Sequence, residues 1–98
     1  MALFAFYGKD GERGAGLREA HRPAHLENMT RLDLAGRLVF AGPLKEREGG
    51  RSVGSLIVFE AEDEAAARAL MEADPYTRAG VFEWFEVLPT MKVFPKEP

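Results

Sequence analysis

The stretch Leu56-Ile57-Val58-Phe59, at the centre of a strand predicted from Ser52 to Glu60, decides the fold. Four consecutive apolar residues put large side chains on both faces of a strand, because successive residues point to opposite faces. The runs Leu3-Phe4-Ala5-Phe6 and Leu38-Val39-Phe40-Ala41 have the same character. These runs predict one sheet with two apolar faces, both of which need a cover.

The first helix is predicted over Leu17 to Ala35, with Gly36 as its C-cap because glycine adopts a left-handed backbone at little cost. Pro23 lies inside this span and cannot donate a backbone hydrogen bond. Two alternatives follow from the proline. The helix begins near Arg22 with Pro23 in its first turn, or it carries an early kink.

The second helix is predicted to begin after Asp63, a good N-cap residue, and to continue through Ala73 until Pro75 ends it. The predicted strands are Ala2–Tyr7, Leu38–Ala41, Ser52–Glu60 and Val81–Leu88, followed by a tail from Pro89 to Pro98. The order β-α-β-β-α-β predicts an α+β fold, a ferredoxin-like four-stranded antiparallel sheet. Ninety-eight residues are enough for a single domain, residues 1–98.

Two crossover helices cover only one face of such a sheet, so the second apolar face predicts an interface. A twofold homodimer that packs sheet against sheet, as a dimeric α+β barrel, is the commonest solution for a soluble protein. The alternative is that the tail covers this face within one chain, through side chains such as Val93 and Phe94.

The composition excludes several classes of function. A net charge of −3 gives no attraction to nucleic acid or to anionic membranes. The absence of cysteine excludes a disulfide framework and a thiol nucleophile. The apolar run at the N-terminus is too short for a signal peptide or a membrane span. We therefore expect a soluble cytoplasmic protein.

His25 is the first candidate for chemistry near neutral pH, because it shares an apolar helical stripe with Met29, Leu32 and Gly36. Asp74 is predicted at the C-terminal end of the second helix, where the helix dipole disfavours a carboxylate by roughly 0.3–1 kcal/mol. Asp74 therefore needs a partner. A hydrogen bond to His25 would orient the ring and stabilise its protonated form.

Other interpretations of these residues stay open at this point. A histidine on an apolar helix face is often a satisfied core histidine, and an aspartate before proline is often only a turn-forming residue. His21 and His25 have the spacing of two metal ligands, but the proline between them disturbs the register, and we predict no metal site. Arg18 and Arg22, one turn apart, either bind a substrate carboxylate or form a solvated helix face.

Seven short stretches occur along nearly the whole chain in the order typical of one family. They are Arg22-Pro23-Ala24-His25-Leu26, Gly36-Arg37-Leu38, Ala41-Gly42-Pro43-Leu44, Gly54-Ser55, Ala73-Asp74-Pro75-Tyr76, Ala79-Gly80-Val81-Phe82 and Lys92-Val93-Phe94. With these stretches the chain resembles the YciI-like family, also described as the YCII-related domain. The resemblance implies a ferredoxin-like fold that dimerises into an α+β barrel related to muconolactone isomerases.

The resemblance also implies an active site whose His-Asp pair maps onto His25 and Asp74, with Ser55 and Tyr76 at matching positions of the pocket. One branch of the family resembles a dehydrochlorinase that acts on chlorinated hydroxyquinols. The resulting hypothesis is a small enzyme without cofactor, of lyase, isomerase or dehydrochlorinase type, that acts on an aromatic or lactone-like metabolite. His25 is then the general acid or base, and Asp74 orients it.

Arg22, Ser55 and Tyr76 complete the hypothesis as residues that bind the substrate. The alternative is a non-catalytic module that binds a small molecule or assists another protein, in which the His-Asp pair is structural. A cavity that reaches His25 favours the enzyme, and a ring sealed under other side chains favours the module.

Overall fold

The computed structural model describes residues 1–96 and confirms the predicted fold class. The elements are β1 (Ala2–Asp10), α1 (Gly14–Leu34), β2 (Leu38–Lys45), β3 (Ser52–Ala61), α2 (Glu64–Glu72), α3 (Pro75–Ala79) and β4 (Phe82–Thr90). The four strands form one antiparallel sheet in the order β2-β3-β1-β4. Glu97 and Pro98, the end of the predicted tail, lie outside the described residues.

The core lies between the helices and one face of the sheet. In the register of β1 and β3, Phe4 is opposite Phe59 and Phe6 is opposite Ile57, and all four side chains are buried. Each such side chain contributes roughly 1.5–3 kcal/mol when it is removed from water. The helices complete the core with Met29, Leu32, Ala67 and Met71.

The first helix begins earlier than was predicted, whether its start was placed near Arg22 or at Leu17 with a kink at Pro23. Because a turn over Gly11–Arg13 already leads into it, α1 begins at Gly14 and continues through Pro23 to Leu34. Pro23 is exposed, so water can solvate the backbone carbonyl that its missing N–H leaves free. Gly36 has the predicted left-handed backbone, with a φ of 72°. No helix among residues 1–96 is both long enough and apolar enough to span a bilayer.

Asp63 caps α2 as predicted, but the prediction that Asp74 ends this helix is wrong. Asp74 is instead the N-cap of α3, where its Oδ2 accepts a hydrogen bond of 3.0 Å from the backbone N–H of Tyr76. Pro75 is the first residue of α3, a position at which its missing N–H has no helical partner to lose. The helix dipole therefore favours this carboxylate, and Asp74 needs partners because it is buried.

The open face of the sheet, opposite the helices, is apolar and is not covered by any part of residues 1–96. Large side chains on this face are between 41% and 56% exposed, namely Tyr7, Phe40, Trp84 and Leu88. In the tail, Val93 and Phe94 are 60% and 72% exposed, so the described part of the tail does not cover the open face as the alternative required.

Candidate active site

A cavity of about 460 Å³ lies between α1 and the strands β2 and β3. Small-molecule sites commonly have volumes of roughly 300–1,000 Å³, so the space suits one ligand of modest size. The apolar wall of the cavity includes Leu26, Met29, Ala41, Pro43 and Ile57. The polar wall includes Arg18, Glu19, Arg22, His25, Arg51, Ser52, Ser55 and Tyr76.

His25 lies on the wall of this cavity and has Asp74 directly behind it. The distance from His25 Nδ1 to Asp74 Oδ2 is 2.8 Å, and the two side chains are 15% and 4% exposed. We assign a proton to Nδ1, because its partner, the carboxylate of Asp74, is a hydrogen-bond acceptor that also accepts from two other donors. A neutral ring then has its unprotonated nitrogen, Nε2, available to a ligand.

Asp74 is held by three donors from two elements. Oδ2 accepts from His25 and from the backbone N–H of Tyr76, and Oδ1 accepts from Asn28 Nδ2 at 2.8 Å. Arg31 in turn donates to Asn28 Oδ1 at 2.7 Å, which fixes the orientation of the amide. A carboxylate with all its donors in place holds one position, so the ring of His25 is held with it.

Tyr76 lies flat against the other side of this arrangement. Its ring is parallel to the imidazole of His25, with centroids 3.8 Å apart and planes inclined by 6°. Burial raises the pKa of the Tyr76 phenol above its ordinary value, against the opposing charges of Arg18 and Arg22. The hydroxyl therefore keeps its proton at neutral pH and can donate a hydrogen bond.

Arg18 lines the cavity and is not a free cation. It donates to both carboxylate oxygens of Asp10 at 2.8 and 2.9 Å, and to Ser55 Oγ at 2.9 Å. It also donates to the carbonyl of Gly54 and lies over the ring of Tyr76, 5.2 Å from its centroid. Arg18 thus orients Ser55 and Tyr76. The sequence offered Arg18 either as part of a solvated helix face or as a residue that binds a substrate carboxylate. Its guanidinium is instead shielded from solvent, and Asp10 neutralises its charge.

Gly54 permits this close arrangement of strands. A Cβ atom at this position would lie 2.5 Å from the carbonyl oxygen of Gly8 on β1, closer than real Cβ contacts. Only glycine therefore lets β3 approach β1 here while its own carbonyl accepts from Arg18.

All five residues singled out in the sequence lie at this one site. His25, Arg22, Ser55 and Tyr76 line the cavity, and Asp74 is behind His25. Asn28 was missed, although its position three residues after His25 places it one turn along the same helix face. Among residues 1–96 no group of three or more His, Cys, Asp or Glu side chains is arranged to hold a metal ion.

Comparison with known proteins gives consistent matches over nearly the whole chain. The family model of the YCII-related domain matches residues 2–91. The chain is 38% identical over 97 residues to Protein YciI of Escherichia coli O6:H1, across 94% of this chain and 99% of that one. Protein YciI of Shigella flexneri gives the same values.

Two solved structures have a similar fold. One is 5-chloro-2-hydroxyhydroquinone dehydrochlorinase from Burkholderia phenoliruptrix AC1100, in complex with 2,5-dihydroxybenzoquinone. It is 29% identical, with a TM-score of 0.77 over 87% of this chain and 89% of the other. The second is an uncharacterised NIPSNAP domain protein from Burkholderia xenovorans, 14% identical with a TM-score of 0.53 over the full length of both chains. At that identity the second structure is informative about the fold alone.

Proposed function

Because the chain belongs to the family of YCII-related domains, we propose that it is a small enzyme that transfers a proton on an aromatic or lactone-like metabolite without a cofactor. One observation carries the proposal. His25 is bound to Asp74 at 2.8 Å through Nδ1 and lines a cavity of about 460 Å³, so a ring with one free nitrogen is available to a ligand. This is the geometry that general acid-base catalysis needs.

Each of the proposed residues has a distinct role. His25 Nε2 takes a proton from the substrate or returns one, and Asp74 stabilises the imidazolium form that results. The ring of Tyr76, stacked on the imidazole, adds a favourable contact to that cation and keeps the ring from turning. Ser55 and Arg22 bind the polar groups of the substrate. A positioned acid or base of this kind accelerates a reaction by about 10²–10⁴-fold.

The similar dehydrochlorinase suggests the class of reaction. Loss of HCl from a chlorinated hydroquinone involves no net oxidation or reduction, because chloride departs with both electrons of the C–Cl bond while two hydroxyl groups become carbonyls. One hydroxyl proton moves to the carbon that carries chlorine, and a second is released. A single histidine that accepts and returns a proton is sufficient for these transfers, so no redox cofactor is needed.

The test compares the two histidines of the chain. We expect His25→Gln to lower the rate of chloride release from 5-chloro-2-hydroxyhydroquinone, or of proton exchange on a reactive lactone, by at least about 100-fold. His21→Gln is the matched control, because His21 does not line the cavity. Equal rates for the wild type and His25→Gln would refute the proposal, provided that both variants keep the circular dichroism spectrum of the wild type.

A second candidate function is a module that binds a small molecule without changing it. The observation that favours it is the burial of Asp74, which is 4% exposed and bonded to three donors, as a purely structural carboxylate would be. Such a module would bind its ligand equally well in the wild type and in His25→Gln, with no turnover in either. The enzyme instead requires turnover that depends on His25.

We also propose that the protein is located in the cytoplasm, where reducing conditions do not affect a chain without cysteine. We further propose that it forms a homodimer through the open face. The exposed apolar side chains of this face support the dimer, because monomers seldom leave so large a patch in contact with water. We expect Leu88→Glu to give a monomer in sedimentation experiments, whereas Leu34→Glu, at an exposed apolar residue of α1, leaves the dimer intact. A wild-type chain that sediments as a monomer would refute it.

A further inference from the structure

One arginine of the cavity has no carboxylate partner among the described residues. Three arginines line the cavity, and two of them have carboxylate partners: Arg18 is paired with Asp10 and Arg51 with Glu46. The guanidinium of Arg22 makes no hydrogen bond or ion pair with any residue in the described range 1–96. Its five N–H donors are therefore available to a ligand.

The charge of Arg22 acts at the end of the cavity where His25 lies. Arg22 is one of the cations that lower the pKa of Tyr76, and the ring of Tyr76 is stacked on His25. Among the described residues, Glu19 is the only acidic residue that lines the cavity, and it does not pair with Arg22 although it is one turn away. The carboxylate of Asp74 also acts on Tyr76, but both of its oxygens already accept hydrogen bonds, so the charge of Arg22 has no direct carboxylate partner in the described range.

Two hydrogen-bond donors lie at the same end, beside the acceptor Nε2 of His25. Arg22 can only donate, and the phenol of Tyr76, which is protonated at neutral pH even at its ordinary pKa, has that pKa raised further by burial. The lining also includes the apolar side chains of Leu26, Met29 and Ile57. A ligand that satisfies both kinds of lining carries anionic oxygen atoms and an apolar body.

We infer that the ligand of this cavity is a small organic anion, whose charged oxygens bind Arg22 while its apolar part contacts the apolar side chains of the lining. The inference rests on the proposed function and extends it, because it names the charge of the substrate and the residue that selects it. An anionic group held by Arg22 brings the adjoining part of the ligand to His25, which is three residues further along α1. Arg22 is then the specificity-determining residue of the site.

The test uses benzoate and benzamide, which share a ring and a shape and differ in charge. Titration of the full chain, followed by the ¹H–¹⁵N NMR spectrum, gives the Kd of each. We expect benzoate to shift the amides that line the cavity and to bind at least about ten-fold more tightly than benzamide, a difference of about 1.4 kcal/mol. Added salt should weaken benzoate binding alone, because screening acts on the charge.

Three variants locate the charge that selects the anion. Arg22→Gln should make the Kd values of benzoate and benzamide equal, and Glu19→Gln should tighten benzoate by removing a nearby negative charge. The control is Arg78→Gln, with the same change in net charge, at an exposed arginine of α3 that does not line the cavity. It should leave the preference for benzoate unchanged.

The inference is overturned by equal affinity for the two probes in the wild type, by a preference that survives Arg22→Gln, or by the absence of binding of both probes at the cavity. Its failure is distinct from a failure of the proposed function. His25-dependent turnover without a preference for benzoate would refute the inference alone. A preference for benzoate without His25-dependent turnover would refute the proposed function and leave the anion site intact.

Discussion

Replacement of Asp74 by asparagine separates its role behind His25 from its role as a helix cap. The side chain keeps its size and one acceptor oxygen, so the amide can still accept from the backbone N–H of Tyr76. With its oxygen at the Oδ2 position it can also accept from His25. Its new NH₂ group then faces Asn28 Nδ2, and two donors oppose each other.

The size of the effect follows from these three hydrogen bonds. The two that remain lose the help of the negative charge, about 1 kcal/mol each. Loss of the third hydrogen bond leaves the Asn28 NH₂ group unsatisfied at a cost of about 1–3 kcal/mol. If the Asn28 amide rotates by about 180° to avoid this, it loses the hydrogen bond from Arg31 instead. Removal of a buried charge offsets part of this loss. We expect Asp74→Asn to destabilise the protein by about 2 kcal/mol, which lowers the Tm of a chain of this size by roughly 8–16 °C.

The assay is urea unfolding followed by circular dichroism, with Asp63→Asn as the matched control. Asp63 is also an N-cap, with its Oδ1 accepting from the N–H of Ala66 at 2.8 Å, but its side chain is exposed. Because asparagine caps a helix nearly as well as aspartate, we expect Asp63→Asn to cost less than about 1 kcal/mol. The slope of the unfolding curve should stay the same in both variants.

Equal losses for Asp63→Asn and Asp74→Asn would refute this reasoning, because Asp74 would then act as a cap only. Activity gives an independent readout. Asp74→Asn should lower turnover by more than its effect on stability explains, since His25 loses the carboxylate that stabilises its protonated form. Full turnover in a folded Asp74→Asn protein would contradict that role.

Three further predictions concern neighbouring positions. Because burial raises the pKa of Tyr76, the contribution of its phenol to stability is complete below the pKa of an unfolded tyrosine, about 10, and is lost as the pH rises through the higher pKa of the folded state. Tyr76→Phe should therefore lose less stability than the wild type above a pH of about 10. An equal loss of stability in both proteins at alkaline pH would contradict this. Gly54→Ala should destabilise the sheet by about 1–3 kcal/mol, because its Cβ meets a backbone carbonyl. Gly16→Ala, on α1 with open space around it, should instead stabilise the chain by roughly 0.5–1 kcal/mol. Thermal unfolding of both variants measures the contrast, and equal effects on stability would contradict it. Asn28→Ala removes one of the three donors to the buried carboxylate, so we expect turnover to fall several-fold with little change in KM; a change in KM alone would show that Asn28 contacts the ligand instead.

The sequence determined the fold because its local signals agree with one another. Apolar runs with strand spacing, Asp63 as a cap and Gly36 at the end of α1 each specify local structure, and the order of the elements leaves one common topology. Apart from α3, which the pattern did not predict, the errors fall at the ends of elements. The first helix begins three residues earlier than predicted, at Gly14, because a turn contributes to its start.

The sequence also singled out the residues of the site, but not all of their relations. Helical spacing places His25 on an apolar stripe, and the resemblance to a family implies the positions of Ser55 and Tyr76 in the pocket. Asp74 does not lie at an unfavourable helix end as predicted, because a five-residue helix that the pattern did not predict begins there. A helix of that length is set by its contacts with the rest of the chain and leaves no periodic pattern.

Only the tertiary structure decided which charges are neutralised and which are left for a ligand. Arg18 and Arg22 are one turn apart on α1 and are equivalent in the sequence. The fold places Asp10 of β1 beside Arg18 and no carboxylate partner within the described residues beside Arg22. Coulomb energies depend on distances through space, and these distances join residues far apart in the chain. The apolar pattern therefore specified the sheet, and the packing of α1 on that sheet specified the site.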